Sequence, residues 1–208
     1  MEIVHPEIVE YLLNVTPDRD AVLEDMERLA VEKTFPIVGP LVGRTLFILA
    51  KAIGAKRILE LGSGFGYSAY WFARAIGTDG MVLCTDGDAQ NAERAREYFR
   101  RGKIASRIEF HVGDALKLID TLDGPFDIIF NDLDKHQYPK AFRKALPKLR
   151  RGGLLISDNV LWHGKILDRK PDAETAGILT YNRLIHSSKE IFTTILPLRD
   201  GVAVSIRL

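Results

Sequence analysis

Ile191-Phe192-Thr193-Thr194-Ile195-Leu196 and Val202-Ala203-Val204-Ser205-Ile206 flank the tetrapeptide Leu198-Arg199-Asp200-Gly201, with no helical stretch between them. Asp-Gly between two β-like runs is a strong hairpin signal, because both residues tolerate the positive φ of a tight turn. Strands joined by a tight turn must be antiparallel. Upstream, five short apolar runs, at 57–61, 81–85, 107–111, 126–130 and 153–157, alternate with helix-like segments at 67–76, 89–101, from about 114, and 138–149. Such alternation indicates βαβ crossovers and a parallel sheet covered by helices on both faces. The predicted fold is therefore α/β: a doubly wound seven-stranded sheet of five parallel strands plus a C-terminal antiparallel hairpin, which sets one strand the other way.

Before the first run, some 55 residues read as helices. Thr16-Pro17-Asp18 has the pattern of an N-cap followed by proline, opening an amphipathic helix through about Glu32, and a second helix covers about 41–53. One domain is expected over 1–208, with 1–35 an N-terminal helical cap and 36–208 the sheet core. The composition, 46% hydrophobic and 27% charged, is that of an ordinary globular domain. Lys+Arg 29 against Asp+Glu 28 leaves a net charge of +1, which argues against dedicated binding of a phosphate backbone. Two basic groups, Arg100, Arg101, Lys103 and Arg107 or Lys144, Lys148, Arg150 and Arg151, read as solvated helix faces. The single cysteine, Cys84, excludes an internal disulfide and suggests a reducing compartment. Charges interrupt every apolar stretch before 18 residues, and the first residues lack the pattern of a secretory signal. A cytoplasmic protein is expected.

Glu60-Leu61-Gly62-Ser63-Gly64-Phe65-Gly66-Tyr67-Ser68 lies where the first strand turns into its helix. Glycines there permit positive φ and close approach of a ligand to the backbone. A dinucleotide loop needs G-x-G-x-x-G. Here the glycines fall at 62, 64 and 66, and Tyr67 stands where the third belongs, a spacing that suits a nucleoside with a small charged tail better than a pyrophosphate. Asp86 follows Gly62 by 24 residues, near the roughly 20 expected for an acid that holds ribose hydroxyls. Gly113-Asp114-Ala115 sits where an adenine edge would lie, although Asp114 is equally suited to capping the next helix. A parallel sixth strand is the habit of dinucleotide sheets, and the terminal hairpin breaks it. Trp71 and Cys84 read as core residues.

Strand four ends in Asn131-Asp132-Leu133-Asp134-Lys135 and strand five in Asp158-Asn159. In open α/β sheets ligands gather outside the carboxyl ends of the strands, so both tips face the crevice of the glycine loop. Asp132, Asp158 and Asn159 offer oxygen only, the donor set of a hard cation such as Mg²⁺. Lys135 lies three residues past Asp132, and a lysine beside a dication and a cationic cofactor is suited to general-base work. His163, after the second tip, reads either as a substrate-facing residue or as a plain loop residue.

These stretches resemble the cation-dependent O-methyltransferases, among them catechol O-methyltransferase, the plant caffeoyl-CoA O-methyltransferases and small bacterial relatives. The resemblance runs from about residue 36 onward and rests on Glu60-Leu61-Gly62 with Gly66-Tyr67-Ser68, Phe126-Asp127-Ile128-Ile129-Phe130, Asp132-Leu133-Asp134-Lys135 with Tyr138, Asp158-Asn159-Val160-Leu161-Trp162 and Asp200-Gly201. It implies a class I S-adenosylmethionine-dependent methyltransferase fold and methyl transfer to a hydroxyl of a small catechol-like or phenolic substrate. By that resemblance Val38, Glu60, Gly62, Ser63 and Ser68 would line the S-adenosylmethionine pocket. Asp86 would hold the ribose, Asp114 and Ala115 would border adenine, and Asp132 and Asp134 would lie on the cofactor side. Asp132, Asp158 and Asn159 would bind Mg²⁺ or a similar divalent cation, and Lys135, with Asp132, would carry catalysis. A homodimer with no nucleic-acid or membrane partner is expected. Two departures stand out: Leu133 replaces a usually small residue, and Ser63-Gly64 replaces a bulkier pair. The rival readings are a catalytically silent S-adenosylmethionine-binding module and an NAD(P)-dependent oxidoreductase.

Overall fold

The computed structural model describes residues 1–17 and 19–208. Three helices open the chain: α1 (Pro6–Asn14), α2 (Ala21–Glu32) and α3 (Gly39–Ala52). The start of α2 differs from the Thr16-Pro17-Asp18 expectation, of which Asp18 lies outside the described residues. The Thr16 hydroxyl donates back to the Leu12 carbonyl. The cap is Asp20, whose carboxylate accepts from the amides of Val22 at 3.1 Å and Leu23 at 3.0 Å. Those are the second and third amides of the helix, the two that an N-cap side chain satisfies best.

The alternating part follows as β1 (Arg57–Leu61), α4 (Tyr67–Ala75), β2 (Met81–Asp86), α5 (Ala89–Arg101), β3 (Ile108–Val112), α6 (Ala115–Thr121), β4 (Phe126–Asn131), α7 (Tyr138–Ala145) and β5 (Leu149–Ser157). The expected helix over 138–149 is shorter than its sequence suggests. α7 stops at Ala145, one 3-10 turn spans Leu146–Lys148, and β5 already begins at Leu149. Pro147 sits in that turn and has no amide to continue the helical ladder. A further helix, α8 (Ala173–Ser187), was not anticipated. Asp172 caps it by accepting from the Thr175 amide at 2.7 Å, and Ile178, Tyr181 and Ile185 are buried on one side. The hairpin is β6 (Ile191–Leu196) and β7 (Val202–Arg207).

Strand order is β3-β2-β1-β4-β5-β7-β6. β1 to β5 pair in parallel, and β7 is antiparallel to both β5 and β6. So β6 shares the direction of β1 to β5, as a strand reached through a crossover helix should. Cores lie on both faces of the sheet. Ile58, Val82, Ile128 and Ile156 point to one with α2, α3 and α4, while Leu59, Leu83, Ile129 and Leu155 point to the other with α7 and α8. Leu23, Met26 and Ala30 of α2 belong to the first of these cores, whereas α1 buries none of its residues. Trp71 and Cys84 are buried as expected, and burial, with the Glu60 charge next, pushes the Cys84 thiol up. The close packing of α3 on α4 depends on Gly43, because a Cβ there would fall 2.2 Å from the Trp71 indole nitrogen. No helix among the described residues is long and apolar enough to cross a membrane.

Candidate active site

Register levels the carboxyl ends of the central strands. Leu61 pairs with Thr85 on one side and Asn131 on the other, and Asn131 pairs with Ser157. The residues that follow are Gly62, Asp132 and Asp158, so three loops leave the sheet side by side. Between β1 and β4 the strand order reverses, the position at which doubly wound sheets open a crevice. A cleft of about 680 Å³ lies there. Of the residues expected around it, Val38, Gly62, Ser63, Ser68, Asp86, Asp114, Ala115, Asp132, Asp134, Lys135 and Asn159 do line it. Glu60 and Asp158 do not, being fully buried.

Glu60 thus departs from its expected place on the pocket wall. Its carboxylate accepts from the Ser63 hydroxyl at 2.7 Å and from the Ser68 hydroxyl, and it is these two serines that meet the cleft. Burial pushes its carboxyl up to about 7 even though both hydrogen bonds favour the charged form.

The glycine loop is tied to β2. The amides of Gly62 and Ser63 both donate to the Thr85 carbonyl, at 3.1 and 2.9 Å, Gly64 donates to Asp86 Oδ2 at 2.9 Å, and Gly66 to the Ser63 carbonyl at 2.9 Å. These amides are already engaged, so the loop is not the free N–H cradle that a pyrophosphate needs. Gly62 has φ +84, and a Cβ there would stand 2.5 Å from the Asp132 carbonyl oxygen. The Asp132 amide in turn donates to the Leu61 carbonyl at 2.9 Å, so the two strand tips are locked together. Asp86 also accepts from the Asp88 amide at 2.9 Å and from Asn91 Nδ2 at 3.1 Å. Three of its roughly four acceptor sites are thereby used. Asp114 caps α6, accepting from Leu116 at 2.8 Å and Lys117 at 3.3 Å, while still bordering the cleft. The wall is rich in carboxylates, with Asp86, Asp114, Asp132 and Asp134 together. A nucleoside carrying a positive tail fits it, and a pyrophosphate does not.

At the other end, Lys135 Nζ donates to Asp132 Oδ1 at 2.9 Å, the Leu133 carbonyl at 3.0 Å and the Tyr138 hydroxyl at 3.0 Å. A 3-10 turn over Lys135–Gln137 folds the chain back so that residues three apart meet. Lys135 is only 7% exposed, yet each of its three donors has an acceptor. Asp158 Oδ2 lies 3.3 Å from Arg199 Nη1, and its Oδ1 is buried without a partner among the described residues. Burial, with the Asp132 charge next, raises the Asp158 carboxyl above its ordinary range, and Arg199 opposes the rise. No group of three or more His, Cys, Asp or Glu placed to hold a metal occurs among the described residues. The donors at these tips are two carboxylates and an amide, all oxygen, and an orphaned buried carboxylate oxygen is what a hard cation would satisfy. The residues fit such an ion.

His163 lines the cleft with φ +53; its amide donates to Asp200, and its Nε2 lies 3.5 Å from Asp200 Oδ2. It is therefore a loop residue fixed from below that still faces the cleft. Tyr138, Trp162, Glu174 and Arg199 are part of this region without having been singled out as site residues. Tyr138 had a local signal, three residues from Lys135; Arg199, 41 residues from Asp158, had none. In the basic groups, Arg100 pairs with Glu97, Arg101 with Asp25 and Lys144 with Asp120.

A family model described as O-methyltransferase matches residues 14–208. Among curated relatives, a catechol O-methyltransferase of Niastella koreensis is 34% identical over 179 residues, covering 81% of this chain and 81% of its own. A caffeoyl-CoA O-methyltransferase of Eucalyptus globulus is 31% identical over 179 residues, covering 80% of this chain and 72% of its own. Among solved structures, an O-methyltransferase of Bacillus cereus in complex with SAH superposes with a TM-score of 0.89 at 29% identity, over 97% of both chains. The O-methyltransferase TomG of Streptomyces achromogenes in complex with SAM gives 0.89 at 29% identity, over 97% of this chain and 96% of its own. The seven-stranded sheet with its reversed strand is shared with these class I S-adenosylmethionine-dependent enzymes, and the chain belongs to the O-methyltransferase family.

Proposed function

We propose that this enzyme transfers the methyl group of S-adenosylmethionine to a hydroxyl of a small catechol-like or phenolic acceptor, with help from Mg²⁺ or a similar divalent cation. The observation that carries the reading is the meeting of Asp132, Lys135 and Asp158 at two adjacent strand tips, beside a loop suited to a cationic nucleoside. The names of the relatives point to the same acceptors.

Asp132, Asp158 and Asn159 would hold the cation, which when bound would draw in neighbouring acceptor oxygens and acidify the one that reacts. Ser63, Ser68, Asp86 and Ala115 would place the donor, with Val38 over its methionine part. The acceptor ring would lie against Trp162 and Leu133, both on the cleft wall beside Lys135, whose Nζ is 5.6 Å from the Trp162 ring centre. Lys135, after giving up one of its three protons to solvent, would take the hydroxyl proton at Nζ, restoring the ammonium that the Asp132 carboxylate, Leu133 carbonyl and Tyr138 hydroxyl hold. The acceptor oxygen forms its bond to the methyl carbon as the carbon–sulfur bond breaks, and that electron pair stays with sulfur. Most of the acceleration comes from holding the two partners in line, an effect of up to about 7–11 kcal/mol.

The test is turnover on a catechol with labelled methyl donor, with and without a chelator, for the natural chain and for Asp132→Ala. Loss of turnover in both cases, with donor binding retained, is the expected result. Full activity in excess EDTA would sink the metal-assisted reading, and donor binding without methyl transfer to any catechol or caffeoyl ester would favour the silent binding module.

A further inference from the structure

The turn between β6 and β7 contains an arginine in an unusual conformation. Arg199 has φ +52, in the left-handed region that non-glycine residues other than Asn, Asp and His rarely occupy. Gly201, in the same turn, shows the residue type that such a backbone ordinarily selects. A strained side chain kept at a cleft is a pointer to function. Arg199 uses its position to reach Asp158, with Nη1 3.3 Å from Oδ2, across a sequence separation of 41.

The two cations of the site are held very differently. Lys135 is buried and has three acceptors around its ammonium. The Arg199 side chain is 43% exposed and, among the described residues, makes one long hydrogen bond, to a carboxylate that is itself 1% exposed. The turn that carries it is held by its backbone, where the Asp200 and Gly201 carbonyls accept from the Leu161 and Val160 amides just past the β5 tip. The guanidinium can leave Asp158 by breaking that one side-chain bond while the backbone bonds of the turn stay in place; Lys135 would have to break three.

We propose that Arg199 is a built-in competitor for the metal site: its guanidinium and the divalent cation contend for the Asp158 carboxylate, so that this one residue sets the cation affinity of the enzyme. The inference rests on the reading of Asp132, Asp158 and Asn159 as cation ligands. Apparent affinity falls in proportion to the fraction of molecules whose site is free, so an ion pair formed about nine-tenths of the time weakens binding about tenfold.

The experiment is a titration of the full chain, freed of metal by a chelator and with neither methyl donor nor acceptor present, with Mn²⁺ followed by electron paramagnetic resonance. The cation-dependent rise in melting temperature is measured in parallel. Arg199→Gly, whose residue adopts this backbone without strain, is expected to bind Mn²⁺ about tenfold more tightly than the natural chain, equivalent to about 1.4 kcal/mol. Arg199→Lys, which keeps the charge, should stay within about threefold of the natural chain, a difference of less than 1 kcal/mol. Asp132→Ala serves as the control. If Asp132→Ala weakens Mn²⁺ binding but Arg199→Gly leaves it unchanged or weaker, the competitor role is overturned while the metal site stands. If Asp132→Ala changes nothing, the metal reading itself has failed and takes this inference with it. Should Arg199→Gly fold poorly, Arg199→Gln removes the same charge and is read by the same criteria.

Discussion

The phenol oxygen of Tyr138 accepts a hydrogen bond from the Lys135 ammonium at 3.0 Å and passes one on to the Asp158 backbone carbonyl at 2.9 Å. One side chain at the start of α7 thus joins the loop after β4 to the tip of β5. Burial, with the Asp132 charge next, pushes its hydroxyl well above the usual phenol range, so it keeps its proton and its donor role. Tyr138→Phe removes both bonds inside a dry region and should cost about 1–3 kcal/mol, read by denaturant unfolding. Turnover should fall while donor affinity, measured by calorimetry, stays within about threefold, which is less than 1 kcal/mol.

Lys135→Met should lower kcat by roughly a hundredfold to ten-thousandfold, the usual worth of a positioned acid–base group. Donor affinity should be little affected, because the hydrogen bonds of Lys135 among the described residues go to Asp132, Leu133 and Tyr138 and not to the glycine loop or Asp86. A variant that retains most of its kcat would remove Lys135 from the chemistry and leave it as a partner of Asp132.

Glu60 makes the stability of the fold depend on pH. Its carboxyl moves from an ordinary 4.5 in the unfolded chain to about 7 in the folded protein. Between those values the folded protein holds a proton that the unfolded chain has released, so stability is lost as pH rises through this window. The effect amounts to roughly 3 kcal/mol once pH exceeds the folded value. Glu60→Gln, which can still accept from Ser63 and Ser68, should reduce the fall in melting temperature between about pH 4.5 and 7, leaving the part that the raised Asp158 carboxyl contributes in the same direction. A slope equal to that of the natural chain would show that Glu60 is not the titrating group.

The turn at Asp200-Gly201 could be read directly because its determinant is local: Gly201 has φ +87, and the chain says so in two letters. The tips that carry Asp132, Asp158 and Lys135 were readable for a similar reason, each lying within a few residues of a strand end. α8 was in principle readable, since Ile178, Tyr181 and Ile185 fall at helical spacing behind the Asp172 cap, but interleaved Gly177 and Thr180 blur the pattern. The retreat of Glu60 behind Ser63 and Ser68 depends on packing depth, which no local pattern encodes. Arg199 on Asp158 depends on where two distant loops end up, and only the assembled sheet decides that.

Gly43→Ala tests the seat of α3. The added Cβ would meet the Trp71 indole at 2.2 Å, and the overpacking should cost about 1–3 kcal/mol. Thermal unfolding should register the loss. Because neither Gly43 nor Trp71 lines the cleft, KM for both substrates should hold at a temperature where the variant remains folded.

The contact of Gly62 with the Asp132 carbonyl limits how this enzyme can diversify. In the proposed reading Gly62 belongs to the donor side and Asp132 to the side that meets the acceptor, and they abut through a gap too small for one methyl group, so the distance between the two reactants would not be an adjustable variable. On that reading new acceptors would be won on the rim, at Leu133, Trp162, His163 and Arg199, where a side chain can change without altering the span. A library that randomises those four positions and leaves residue 62 alone should yield altered acceptor range with methyl-transfer geometry intact, whereas any residue but glycine at 62 should yield protein with no transfer at all.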